Sequence, residues 1–299
     1  MDAYSSATWR DAVVAALGYQ SPPHWSIAGE GPWTTSWSLH IGRERLFVKT
    51  ARASVAAMLA AEADGLRALG ATGTITVPRV RLRGTQGDCA FLVLGWLDLG
   101  DSRRGEALGR ALALLHRVPA PSGRNGERFG WARDNYIGGA LQRNGWADDW
   151  SVFFRDCRLR PQLARVAKAG YGDALSRDGE RVLDLVPQLL GAHHPLPSLL
   201  HGDLWSGNAG MLVDGTPVVY DPAVYVGDRE VDLAMTRLFG GFDVAFYRAY
   251  DDAWPLPPGH DLRRDLYNLY HVLNHLSLFG SGYLEHAQRL MKRLIVAAS

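Results

Sequence analysis

Apolar and polar residues alternate along residues 24–50, and the alternation falls into three runs, His24 to Ala28, Ser36 to Ile41 and Arg45 to Thr50. A Gly-containing loop separates the first two and the turn Gly42-Arg43-Glu44 the last two. A period of two with this punctuation predicts a three-stranded meander. The period then changes. From Arg52 to Leu69 the chain is rich in Ala and Leu, with Val55, Met58, Leu59, Leu66 and Leu69 at helical spacing before Gly70, which predicts an amphipathic helix stopping at that glycine. Strand patterns return at Val77 to Leu82 and Ala90 to Leu94. Beyond Trp96 long helical patterns take over, at Gly105 to Val118, Trp150 to Ala169, Asp178 to Leu190 and Asp261 to Phe279. The switch near residues 95–101 predicts two units, 1–97 and 98–299. There is no internal repeat and no low-complexity tract beyond a Gly/Pro/Ser/Arg loop at 119–130.

Composition narrows the function classes. A chain of 299 residues with 47% hydrophobic content and a net charge of +1 carries no global bias toward nucleic acid or a membrane surface. No apolar run is long enough to span a bilayer. The N-terminal stretch holds Asp2 and Asp11 with no basic segment ahead of an apolar run, so it does not read as a secretory signal. With only Cys89 and Cys157, the chain offers neither a disulfide framework nor a cysteine-based zinc spacing, which suits a reducing cytoplasm and small buried thiols. Lys occurs only at 49, 168 and 292 among 32 basic residues, so each retained Lys asks for a reason.

The sharpest local pattern is His201-Gly202-Asp203-Leu204-Trp205-Ser206-Gly207-Asn208 after the apolar run Pro197 to Leu200. It has the His-x-Asp-x-x-x-x-Asn spacing of a kinase catalytic loop, in which the Asp orients the substrate hydroxyl and the Asn binds magnesium. Met211-Leu212-Val213, Asp214-Gly215 and Pro217 to Tyr220 follow, a hairpin with a turn dipeptide at its tip. Asn208 and Asp221 flank its open ends, so pairing brings together two hard oxygen ligands of the kind magnesium prefers. Lys49 ends the strand 45–49, and a compact ammonium suits nucleotide phosphates better than a broad guanidinium does. Glu62 sits on the apolar stripe of the 52–69 helix, where an unpaired carboxylate is costly, and so is the expected partner of Lys49. Asp64 and Arg67 are expected to face solvent. The loop 29–35, with Gly29, Gly31 and Thr35, can bring backbone amides to phosphates; because it opens into a strand rather than a helix, it is no dinucleotide-binding turn. No Gly-Lys-Ser/Thr follows a Gly-rich stretch, which excludes a Walker-type loop. A small strand-rich lobe with one helix, followed by a larger helical lobe, is the α+β order of a protein-kinase-like, two-lobed fold.

With these residues placed, the chain resembles the fructosamine (ketosamine) kinases, a branch of the aminoglycoside and choline-kinase-like phosphotransferases. The resemblance runs from about Gly29 to Tyr283 and is densest at Asp134-Asn135-Tyr136-Ile137-Gly138 with Asp149-Trp150, at His201 to Asn208, at Tyr220 to Met235, and at Tyr267 to His275. It implies that ATP and Mg2+ are used, that Asp203 is the catalytic base, that Asn208 and Asp221 bind magnesium, and that Lys49 with Glu62 holds the phosphates. Adenine would meet the linker Leu94-Gly95-Trp96-Leu97. His201 and Asp232 would support the catalytic loop, with helix capping as the competing role for Asp232. Trp205, Asn135 and Tyr136 would contact the substrate. The implied reaction is phosphorylation of the C3 hydroxyl of a free or protein-bound ketosamine, followed by loss of the amine. Two alternatives stay open: a kinase of an aminoglycoside or choline-like alcohol, and a non-catalytic nucleotide-binding pseudokinase. The linker lacks the Glu that relatives often carry, the phosphate loop reads Gly29-Glu30-Gly31 rather than adjacent glycines, and it lacks the Cys that some relatives place there.

Overall fold

The computed structural model describes residues 8–100 and 105–298; Asp2 of the N-terminal stretch and Asp101 at the end of the expected switch lie outside them. The expected meander is present as β1 (Pro23–Glu30), β2 (Thr35–Ile41) and β3 (Glu44–Arg52). With β4 (Val80–Gln86) and β5 (Cys89–Gly95) it forms an antiparallel sheet in the order β1-β2-β3-β5-β4. The fourth strand starts at Val80, not Val77, because Pro78 has no N–H for a ladder.

Alternation gives this sheet two buried faces. One carries Leu39, Ile41, Leu46, Val48 and Val93 and packs on Trp9 and Val13 of α1 (Thr8–Leu17), a helix the sequence reading missed. The Arg10 guanidinium lies 4.7 Å from the Trp37 ring and also stacks on Trp9 and Trp25. The other face carries Ala51, Leu92 and Leu94 under Leu59, Ala63 and Leu66 of α2 (Ala56–Ala71). Arg52 is still extended strand, so the helix starts later than expected. Gly70 lies inside the helix rather than ending it: a Cβ there would approach Val77 Cγ2 to 3.0 Å, so the glycine permits close packing.

The remainder is mainly helical, with short strand pairs at its centre. Helix α3 (Glu106–Arg117) follows the linker; then come the small hairpin β6 (Asn135–Ile137) and β7 (Ala140–Gln142). The expected helix at 150–169 is interrupted. Helices α4 (Trp150–Phe153) and α5 (Arg160–Val166) are separated by a widened turn at 154–159, and a second at 167–171, where Gly170 has φ +93°, leads into α6 (Gly172–Leu190). Strand β8 (Pro197–Leu200) pairs with β11 (Tyr225–Asp228), and between them in sequence lies the hairpin β9 (Ala209–Met211) and β10 (Pro217–Val219). Helices α7 (Glu230–Leu238), α8 (Val244–Ala253), α9 (His260–Phe279) and α10 (Leu284–Ala297) complete the chain.

The core between these helices is aromatic and polar-tethered. Trp150 stacks on Phe153, and its Nε1 donates to Tyr267 Oη at 3.0 Å; Tyr267 Oη in turn donates to Asp228 Oδ2 at 2.6 Å. Asp228 also meets His193 Nε2 at 2.7 Å, while Arg263 donates a fork to Glu230 at 2.8 and 2.7 Å. Every charge in this cluster is paired, as burial requires. Cys89 is buried and Cys157 partly so. No helix among the described residues is long and apolar enough to cross a membrane.

Candidate active site

The nesting of strand pairs builds the site. β8 delivers His201, β9 receives Asn208, β10 ends at Val219 and β11 begins at Tyr225, so segments 201–208 and 220–224 are held side by side. Backbone bonds join them, Tyr220 N to Asn208 O at 3.0 Å and Ala223 N to His201 O at 2.8 Å. The connection of the β9–β10 hairpin is longer than a two-residue tip: it spans 212–216, with Gly215 at φ +83° and Thr216 N donating to Asp214 Oδ1. Its open ends still bring Asn208 and Asp221 together, and Asn208 Nδ2 donates to Asp203 O at 2.9 Å, with longer contacts to Asp203 Oδ2 and Asp221 O. That amide nitrogen therefore faces the catalytic loop and leaves Oδ1 on the opposite side of the group. Asp221 has φ +57°, a conformation unusual for a residue with a side chain and concentrated at functional sites.

Asp232 is the brace beneath the loop. Its carboxylate accepts from His201 N at 2.7 Å and Gly202 N at 2.9 Å, and it meets His116 Nε2 at 3.2 Å. It lies in the first turn of α7 but spends its oxygens on the loop, not on a helix cap. His201 Nε2 meets Tyr220 O at 2.9 Å, and burial pushes this ring below the ordinary histidine range. Gly202 has φ +82°, and a Cβ there would lie 2.1 Å from Ala223 O, so no other residue fits. Burial, reinforced by the Asp221 and Asp232 charges, pushes the Asp203 carboxyl up to about 7.

From the sheet, Lys49 reaches the same place. Its Nζ lies 2.8 Å from Glu62 Oε1 and 2.5 Å from Asp221 Oδ1. The Glu62 contact is a close charge pair without hydrogen-bond alignment. The two neighbouring carboxylates hold the buried ammonium charged against its desolvation, while burial raises the Glu62 carboxyl and Lys49 pulls it down. Arg67 is exposed as expected, and the part-exposed Asp64 pairs at the surface with both Arg67 and Arg133, the latter from the far side of the linker.

A cavity of about 400 Å³ opens beside Lys49 and Asp221. Gly29, Gly31, Leu94, Trp96 and Leu97, all proposed from sequence, line it. Thr35 does not: it is paired within β2, where its carbonyl accepts from Thr50 Oγ1, and the neighbours Thr34 and Ser36 face the cavity. Phe47 was missed although it stands two residues before Lys49 on the same strand face, a signal that period-two reading contains. Pro78, Leu99 and Tyr220 also line it, from three separate segments.

Among the expected substrate contacts, Trp205 is exposed beside the catalytic loop, lying over Gly207. Tyr136 is half-buried in β6. Asn135 has another task. Its side chain is 3% exposed, Nδ2 donates to Val224 O at 2.7 Å, and Oδ1 accepts from Gln142 and Asn144. With both ends of the amide committed, it positions segment 223–224 and does not face the cleft. Asp149, from the same family-like block, caps α4 through Val152 N.

Comparisons of the chain with known proteins agree with one another. The family model described as fructosamine kinase matches residues 18–297. A probable ketoamine kinase of Synechocystis is 46% identical, covering 90% of this chain and 89% of its own length. The chloroplastic protein-ribulosamine 3-kinase of Arabidopsis thaliana is 41% identical over 82% of this chain and 74% of that protein. Among solved structures, a candidate fructosamine-3-kinase from Haemophilus somnus superposes with a TM-score of 0.86 at 29% identity, covering 96% of this chain and 97% of that one. An aminoglycoside phosphotransferase solved with AMP-PNP and hygromycin B shares the fold, with a TM-score of 0.65 at 15% identity.

Proposed function

Because this chain belongs to the fructosamine kinase family and is, with it, a kinase, we propose that it transfers the γ-phosphoryl group of ATP to the C3 hydroxyl of a ketosamine. The observation that carries this reading is the convergence of Lys49 and Asp221, which line the cavity, with Asn208 and Asp203 packed beside Asp221. Adenine occupies the apolar end between Phe47, Leu94 and Trp96, whose ring is itself stacked by Arg45 at 3.4 Å. Lys49, locked by Glu62, holds phosphate oxygens. Asp203, raised by burial, accepts the hydroxyl proton and aligns the attacking oxygen. Trp205 offers an apolar wall to the sugar's C–H face.

Asn208 Oδ1 and the Asp221 carboxylate are the hard oxygen donors that magnesium takes, so the residues fit that ion. Bound there, it supplies positive charge to the phosphate oxygens. The 3-phosphate so formed loses inorganic phosphate from C3 by β-elimination after enolisation, and water hydrolyses the resulting C1 imine to free the amine and a 3-deoxy dicarbonyl sugar, which makes the reaction a deglycating repair of free or protein-bound adducts, consistent with a cytoplasmic protein whose two cysteines are free.

The test is ADP release with mass detection of product across ribuloselysine, fructoselysine, a shorter ketosamine, aminoglycosides, choline and free sugars. Phosphorylated ketosamine is expected. Transfer to an aminoglycoside or choline with every ketosamine inert overturns the substrate, and no transfer to any acceptor favours a pseudokinase.

A further inference from the structure

A row of aromatic rings borders the catalytic loop and has no task in the scheme above. Trp33, at the tip of the β1–β2 loop beside the nucleotide cavity, faces Phe279 at the end of α9 with ring centroids 6.3 Å apart. Phe279 meets His275 at 5.4 Å, and His275 meets Phe239, just past α7, at 4.9 Å. The row then reaches the catalytic loop: Gly241 lies so close to Ser206 that a Cβ on it would be 2.4 Å from Ser206 Cβ, and Trp205 is next in the chain. Trp33 itself is seated on the β6–β7 turn, where a Cβ on Gly139 would come within 2.2 Å of its ring. Three elements distant in sequence thus bring rings into one row, whose Phe239 end lies two residues from the glycine packed on Ser206 of the 201–208 loop.

The row is open to solvent in part, with Trp33 and His275 half-buried. Phe279 is 54% exposed, Phe239 41% and Trp205 39%. Exposed apolar rings grouped beside a cleft are a surface on which a ligand packs. Its position and chemistry point to an occupant. A ketosamine hydroxyl directed at Asp203 leaves its secondary ammonium and the attached stem to exit the cleft, and aromatic faces attract such a cation while packing on its methylenes. Burial pushes the His275 ring below the ordinary histidine range, so the row adds no opposing charge.

Resting on the ketosamine reading, we propose that the row Trp33, Phe279, His275 and Phe239 is the subsite for the amine-bearing stem of the acceptor, here a lysine-like alkyl chain. The sugar head is then held by the catalytic loop, and the row selects what the sugar is attached to.

The experiment compares two ketosamines with one sugar head, the adduct of methylamine and the ε-adduct of Nα-acetyl-lysine methylamide. The readout is the ratio of kcat/KM for the second over the first. Phe279→Ala and Phe239→Ala each lower this ratio by roughly 5-fold, the loss of apolar packing on stem methylenes that only the second adduct carries, and Phe279→Tyr restores it. Because Phe279 is more than half exposed, its variants keep the fold and carry the test even where Phe239→Ala does not. Wild-type turnover of both adducts with an unchanged ratio in Phe279→Ala overturns the subsite alone. A wild-type enzyme inert toward both, yet active on another alcohol, overturns the ketosamine reading and the subsite with it.

Discussion

Gly202 and Asp203 show how tightly single residues are specified here. Gly202 must be glycine, for its φ and for the approach of Ala223 O, and this places the next side chain where Asn208 and the charges of Asp221 and Asp232 meet it. Asp203→Asn preserves that packing and removes the proposed proton acceptor. Turnover is expected to fall by about 10²- to 10⁴-fold while nucleotide affinity in calorimetry stays within a few-fold of the parent. Near-parental turnover in this variant would falsify the role given to Asp203. The residue types and their spacing were legible because the catalytic loop is contiguous. Asn135 was misassigned because its neighbours, Val224, Gln142 and Asn144, are brought to it only by folding.

At the scale of elements, α9 combines a scaffold with a liability. It ties the core through Tyr267 and Tyr270, whose Oη atoms donate to Asp228 and Gln142, yet His271 is fully buried with no hydrogen-bond partner for either ring nitrogen among the described residues. Burial pushes this ring down to about 3, against about 6.5 for a free histidine. The unfolded chain therefore binds a proton that the folded chain refuses. Stability from this site is full above about pH 6.5 and erodes as pH falls from there toward 3. The urea midpoint of the wild type should drop between pH 7.5 and 5.5, with this site contributing on the order of 1 kcal/mol, and His271→Leu should show a smaller drop. An equal or steeper drop in the variant would mean that His271 takes up its proton in the folded state. Periodicity located α9 well, since its pattern is long. It failed at 150–169, where the widened turns leave hydrophobic spacing nearly helical while the axis changes course.

Across the whole molecule, the sheet-bearing part is joined to the helical part by a shared apolar cluster around Leu69 and Ile75 and by close contacts of α2. Gly65 of α2 abuts Pro222 and Val224, to which a Cβ would come within 3.2 and 3.3 Å, and Arg133 pairs with Asp64 one residue away on the same helix. Glu62 is on this helix, so its distance from Lys49 depends on how α2 seats against segment 222–224. Gly65→Val should lift α2 and loosen the Lys49 pair, lowering kcat/KM by roughly 10- to 100-fold, as a misplacement near 1 Å does, with the far-ultraviolet circular dichroism unchanged. Activity within twofold of the parent would show that this contact does not set the geometry.

What the sequence by itself determined is what travels in contiguous stretches: the period-two meander, the catalytic loop, the hairpin flanked by Asn208 and Asp221, and a Lys retained in a chain that otherwise uses Arg. Each is a local pattern whose meaning depends on backbone period or on spacing within a dozen residues. What only the tertiary structure decided is which distant surfaces meet. The capture of Asp232 by the catalytic loop, the placement of Pro78, Leu99 and Tyr220 around the cavity, and the assembly of Trp33 with Phe279 and Phe239 join segments that are separate in the sequence. Those meetings are set by close packing and by the need to pair every buried charge, and both are properties of the assembled core rather than of any one segment.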